Sequence, residues 1–102
     1  MIHPRHQLNE AFFTPIRLSL MAALGRTNEV DFSTAKSLLE VGDSTLSKAI
    51  AYLAECGYVT VTKSYAASRP KTWVAATAEG YRAYQQHLLA LRAITEIPPA
   101  GT

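Results

Sequence analysis

The sequence predicts a mainly α domain with a small β-hairpin, an α+β class. Three observations carry this. Four segments show helical apolar spacing with capping residues at their starts. Two alternating segments, Tyr58–Thr62 and Thr72–Ala76, flank a loop holding Ser68-Arg69-Pro70. The chain has 102 residues, 48% apolar and 18% charged, enough for one globular unit. A domain of that size buries only about two-thirds of its unfolded surface, so its core is modest. The expected unit spans 1–97, with Pro98–Thr102 as a loose tail.

Each element follows from its residues. Leu8, Phe12 and Phe13 suit a short helix ending near Thr14. Thr14 caps the next helix, and Pro15 at its first position gives up an N–H that has no partner there. Ile16, Leu20, Met21 and Leu24 share one face, and Gly25 ends the run. Glu29 to Phe32 suits a brief strand. Ser33 is expected to cap a helix over Thr34–Glu40, with Ala35, Leu38 and Leu39 inward. Val41-Gly42 makes a turn, and Asp43 is expected to cap the third helix. There Leu46, Ala49, Ile50 and Leu53 form the apolar stripe. The opposite face carries Ser44, Ser47, Lys48, Ala51, Tyr52 and Glu55, with Thr45 at its edge. Hydroxyls and a cation occupy the first turns, and Glu55 lies near the end. A groove entered by this helix is therefore entered N-terminus first, with the positive end of the dipole toward phosphate.

Gly57 closes that helix. Val59 and Val61 alternate on one side of the first strand, and Trp73 stands in the returning one. Pro70 biases Arg69 toward an extended backbone, so its side chain projects from the tip toward a narrow, negative minor groove. The net charge of +2 identifies no partner. Its placement says more: from Cys56 to Ala78 the chain carries Lys63, Arg69 and Lys71 and no acid. That is either a solvated hairpin or an electrostatic footprint. Thr77 caps a last helix over 78–94. Its Tyr81, Tyr84, Leu88, Leu91 and Ile94 form a short heptad-like seam, which either packs on its own domain or meets a second copy.

A polar-tipped helix beside a basic hairpin is the outline of a winged helix-turn-helix. The run GYVTVTKSYAASRPKTWVAATAEGYR resembles the wing and following helix of MarR/ArsR-type winged-helix regulators. More closely, the chain resembles the small stand-alone winged-helix DNA-binding domain family over residues 8–94, with TPIRLSLMAAL and EVDFSTAKSLLEVGDSTLSKAIAYLAECGYV following the same pattern. The resemblance implies a dimeric, cytoplasmic DNA-binding regulator. Its recognition helix maps to Ser44–Cys56 and its wing to Lys63–Lys71, within a hairpin over 58–76. Its dimer helices map to the Leu8–Phe13 region, including Leu8 and Phe12, and to Ala78–Ile94. The chain departs from the pattern at Ala49, where a histidine is frequent, and at Ala76, where a leucine is usual. Ala78 replaces a common proline, and Ala66-Ala67 stand where glycine or a further basic residue is usual. These departures bear on wing length and on the number of phosphate contacts.

Other classes find little support. No serine, histidine and acid are set in a recognisable motif, and there is no glycine-rich phosphate loop, so no enzyme and no cofactor are implied. His3, His6 and His87 lack the ligand density of a metal site. The single cysteine, Cys56, excludes an internal disulfide, fits a reducing cytosol, and reads as a small buried residue rather than a redox switch. No apolar run is long enough for a membrane span. The expected function is a homodimeric, sequence-specific regulator binding a pseudo-palindromic duplex. Ser44, Thr45 and Ser47 would approach base edges, with Tyr52 on the same face. Lys48, Lys63, Ser68, Arg69 and Lys71 would hold the backbone or minor groove. The alternative is a winged helix used for protein contact without intrinsic DNA binding. No effector is legible.

Overall fold

A computed structural model describes residues 2–26, 28–66 and 69–101. Two short 3-10 turns, Pro4–Gln7 and Glu10–Phe12, lead into α1 (Pro15–Leu24). Then come β1 (Glu29–Asp31), α2 (Phe32–Leu39), α3 (Asp43–Glu55), β2 (Val59–Ala66), β3 (Arg69–Ala76) and α4 (Ala78–Thr95). Strand β3 lies between β1 and β2, antiparallel to both.

Local chemistry sets most boundaries. Thr14 Oγ1 accepts the Arg17 N–H at 3.3 Å, Pro15 opens α1, and Gly25 ends it at φ 63°. α3 ends on a paired turn: Gly57 N–H donates to the Ala54 carbonyl and Tyr58 N–H to the Leu53 carbonyl, with Gly57 at φ 79°. Thr77 Oγ1 accepts the Gly80 N–H at 2.9 Å and donates to the Gly57 carbonyl at 2.7 Å. One hydroxyl thus starts α4 and ties it to the end of α3.

Leu20, Met21, Leu24, Ala35, Leu46, Ala49, Ile50, Leu53, Val59 and Val74 form the core, joined by Ala11 and Phe12 from the N-terminal segment. The expected stripes of α1 and α3 are therefore those that pack, with Ile16 half-buried at the margin.

Several expectations are corrected. The N-terminal segment is two 3-10 turns rather than one helix. Its second turn is capped by Asn9, whose Oδ1 accepts the Ala11 N–H at 2.9 Å. Asp31, not Ser33, precedes α2, with the Thr34 hydroxyl donating to its carboxylate. Leu38 points to solvent, 60% exposed, and Phe32 packs on the core instead. α2 ends at Leu39 rather than Glu40, and Glu40 is left-handed at φ 54° ahead of Val41-Gly42. Gly42 precedes α3, and Asp43 is its first residue, with no side-chain cap bond.

The strands of the hairpin run longer than expected. Lys63 and Lys71 are paired strand residues, and Pro70 sits in β3 opposite Tyr65. Proline is tolerated there because β1 pairs only with Trp73, Val74 and Ala75, leaving β3 an edge strand at Pro70.

Candidate nucleic-acid interface

On α3, burial of Leu46, Ala49, Ile50 and Leu53 turns Ser44, Thr45, Ser47, Lys48 and Tyr52 outward, and all five are exposed. Ser47 and Ala51 border a cleft with Ile50, Ala54, Phe32, Val61 and Thr72, so the outer edge of α3 and the hairpin share one surface. Lys63 lies directly across from Thr72.

Strand parity divides the wing's cations. Val61, Lys63 and Tyr65 pair with Val74, Thr72 and Pro70, on the face that carries buried Val74 and looks toward the helices. Lys71 and Trp73 pair with Ser64 and Thr62 on the other face, with Arg69 in phase with them. On that outer face Trp73 Nε1 donates to Ser64 Oγ at 2.9 Å, and Lys71 Nζ stands 5.5 Å from the Trp73 ring centroid. Arg69 and Lys71 border a second cleft with Asp31. The Thr34 hydroxyl holds the Asp31 carboxyl below its ordinary pKa, and the charge of Lys71 contributes in the same direction. The basic hairpin is thus two flanks rather than a single stripe. Ser68, expected to contact DNA, lies outside the described residues.

The start of α3 is less simply positive than its dipole. Asp43 adds a carboxylate, and Lys36 answers it at 2.8 Å. This exposed pair is worth at most about 1 kcal/mol. Its electrostatic effect is to soften the positive end of the α3 dipole.

Two side chains near this surface escaped sequence reasoning. Tyr65, 79% exposed, stands two residues beyond Lys63 on the same strand face, a position that alternation alone could have flagged. Arg17 of α1 is the other, its guanidinium carbon 3.9 Å from the Tyr52 ring centroid. Cys56, expected to be buried, is exposed at the end of α3.

The residues expected at a dimer surface divide. Phe12 is 2% exposed, stacked 5.6 Å from Tyr58 and edge-on to Tyr84 at 6.1 Å, so it fills its own chain's core and offers no surface to a second copy. Burying such a ring contributes about 2–3 kcal/mol. Leu8, Tyr81, Tyr84 and Ile94 are half-buried. Leu88 and Leu91 remain exposed, and the neighbouring Leu89, not part of the expected seam, is more exposed than either. The inward face of α4 is instead Gly80, Tyr84, His87 and Ala90.

Among the described residues no three metal-ligating side chains gather, and no helix is long and apolar enough to cross a membrane.

A family model described as a winged helix DNA-binding domain matches residues 16–95. The structure is similar to a transcriptional regulator homologue from Pyrococcus horikoshii OT3, at 26% identity and TM-score 0.83, covering 94% of this chain and 96% of that one. It is also similar to Sco3205, a MarR family transcriptional regulator from Streptomyces coelicolor solved in complex with DNA. The identity is 23% over 95% of this chain and 68% of that one, with TM-score 0.66. The PcaV transcriptional regulator from Streptomyces coelicolor, solved with its natural ligand, shares 16% identity over 90% of this chain and 64% of that one, with TM-score 0.73. The last two similarities show a common fold. No curated protein sequence matches the chain significantly. With the three-stranded sheet, the exposed polar face of α3 and a family match over most of its length, the chain belongs to the winged helix DNA-binding domain family.

Proposed function

We propose that this chain is a sequence-specific transcriptional regulator that binds duplex DNA as a homodimer. The observation that carries the reading is the shared surface of α3 and the hairpin. Ser47 and Ala51 border one cleft with Val61 and Thr72, and Lys63 stands across the ladder from Thr72. A helix laid in a major groove along this surface brings Ser44, Thr45 and Ser47 to base edges. Lys48, Lys63, Arg69 and Lys71 then meet phosphates or the minor groove on either side.

Exposed Leu88, Leu89 and Leu91 on α4 support a second copy as the partner of that helix. A two-fold dimer holds two recognition helices about 34 Å apart, one duplex turn, and so reads a pseudo-palindrome. The test is selection of bound fragments from genomic DNA. Enrichment of an inverted repeat with half-sites one turn apart is expected, and no enrichment over input contradicts the reading. A second reading, a winged helix for protein contact, is favoured by the exposed Val61 and Tyr65 on the α3-facing side of the hairpin. It predicts no duplex binding even at low salt.

A further inference from the structure

We propose that Arg17 and Tyr52 form a positioning lock for the recognition helix, and that Tyr52 acts on DNA affinity through this lock rather than by touching bases. The inference rests on the DNA-binding reading above.

The guanidinium of Arg17 is held on three sides. Its Nε donates to the Ala11 carbonyl at 2.6 Å and its Nη2 to the Glu10 carbonyl at 3.3 Å. Its flat face lies over the Tyr52 ring, 3.9 Å from carbon to centroid. Those carbonyls belong to the second 3-10 turn, Glu10–Phe12, whose end Arg17 satisfies. A planar fork that bonds two carbonyls at its edge and an aromatic ring at its face is what arginine supplies and lysine does not.

The turn so gripped is itself anchored. Phe12 is buried against Tyr58 and Tyr84, and the Asn9 N–H donates to His87 of α4. Arg17 therefore ties α3 to a turn that is fixed on α4. The ring it clamps lies one helical turn beyond Lys48, and Thr14, Arg17, Thr45, Lys48 and Tyr52 line one cleft. Holding Tyr52 holds the backbone that presents Lys48 and Thr45. An arginine committed to two carbonyls and a ring is placed to orient rather than to neutralise phosphate.

Duplex affinity and its salt dependence are measured for the parent chain, Arg17→Gln, Tyr52→Phe, Tyr52→Leu and the Arg17→Gln/Tyr52→Leu double variant. Thermal melts confirm folding. Tyr52→Leu, at a partly exposed site, serves if Arg17→Gln does not fold. Loss of the lock is expected to weaken binding about tenfold in Arg17→Gln and in Tyr52→Leu. Tyr52→Phe keeps the ring face and is expected to stay within about twofold of the parent. The double variant is expected to be no weaker than the worse single, because one interaction is lost in each. The slope of log affinity against log salt stays at the parent value. A slope reduced by about 0.9 per lost contact in Arg17→Gln makes Arg17 a phosphate ligand and overturns the proposal. So does a Tyr52→Phe variant as weak as Tyr52→Leu, which makes the hydroxyl the contact. Parent binding with unaffected variants overturns this inference alone, whereas a parent that binds no duplex overturns the DNA reading with it.

Discussion

The backbone N–H of Asn9 donates to Nδ1 of His87, 3.0 Å away and 78 positions later in the chain. Around this bond the N-terminal segment closes on α4. Asn9 Nδ2 donates to the Tyr58 hydroxyl at 2.9 Å, and the Phe12 ring lies 5.4 Å from the imidazole. His87 is 3% exposed, the one buried polar side chain among the described residues.

Acceptance at Nδ1 requires a neutral ring, and burial pushes the His87 pKa below its ordinary value. The unfolded chain, with a histidine pKa near 6.5, then binds the proton more readily than the folded one. Stability is full above about pH 6.5 and falls as pH drops below it toward the folded-state pKa. His87→Gln keeps an acceptor but does not titrate, and is expected to cost about 1–3 kcal/mol at neutral pH. Thermal melts from about pH 7.5 to 5 should show a steeper decline for the parent than for His87→Gln. Parallel declines would place the pH sensitivity elsewhere. The Asp31 carboxyl, also held low, acts only at more acid pH, below about 4.

What the sequence made legible was local. The caps at Thr14 and Thr77 and the stripe Leu46–Ala49–Ile50–Leu53 depend on neighbours within one or two turns, and they stand as expected. The first residues of α2 and α3 shifted slightly because Asp31 and Gly42 compete for the boundary with Ser33 and Asp43. Long-range facts were not legible. The burial of Phe12 and His87 depends on where the N-terminal segment docks. The passage of β3 through Pro70 depends on where β1 stops pairing. The role of Arg17 depends on a ring 35 positions away, from Arg17 to Tyr52. For the candidate interface, the exposed face of α3 was readable from period, while the two-sided division of the wing's cations needed the ladder register.

Gly80 is required by a close approach. A Cβ there would stand 2.1 Å from the Tyr58 carbonyl oxygen and 2.7 Å from the Tyr58 carbonyl carbon. Relief demands that α4 separate from the start of β2. Gly80→Ala is expected to destabilise by more than about 2 kcal/mol despite alanine's better helix propensity. Denaturant unfolding measures this, and a neutral or stabilised variant would show that α4 shifts freely.

In the proposed homodimer, the outer surface of α4 forms the interface. Replacing Leu88 and Leu89 with glutamate leaves the inward face of Gly80, Tyr84, His87 and Ala90 intact. The variant is expected to be a folded monomer by light scattering and to lose duplex affinity, since each half-site then binds alone. A variant that stays dimeric moves the interface off this face.

Within the interface, Arg69→Ala is expected to weaken binding with the preferred sequence unchanged. Changes at Ser44, Thr45 or Ser47 should alter base preference by about 1–3 kcal/mol where a good contact is lost. Selected-site sequencing separates the two. An unchanged motif in the serine and threonine variants, with a rewritten one in Arg69→Ala, would reverse these assignments.

In the proposed function, this surface binds duplex DNA through its cations. Lys48, Lys63, Arg69 and Lys71 are all exposed. In a dimer they supply about six to eight phosphate contacts, hence a slope of log affinity against log salt of about −5 to −7. A titration of the parent chain with duplex across a range of salt concentrations measures it directly. A slope in that range is the predicted result. A slope near zero, or no binding at low salt to any genomic fragment, contradicts the account.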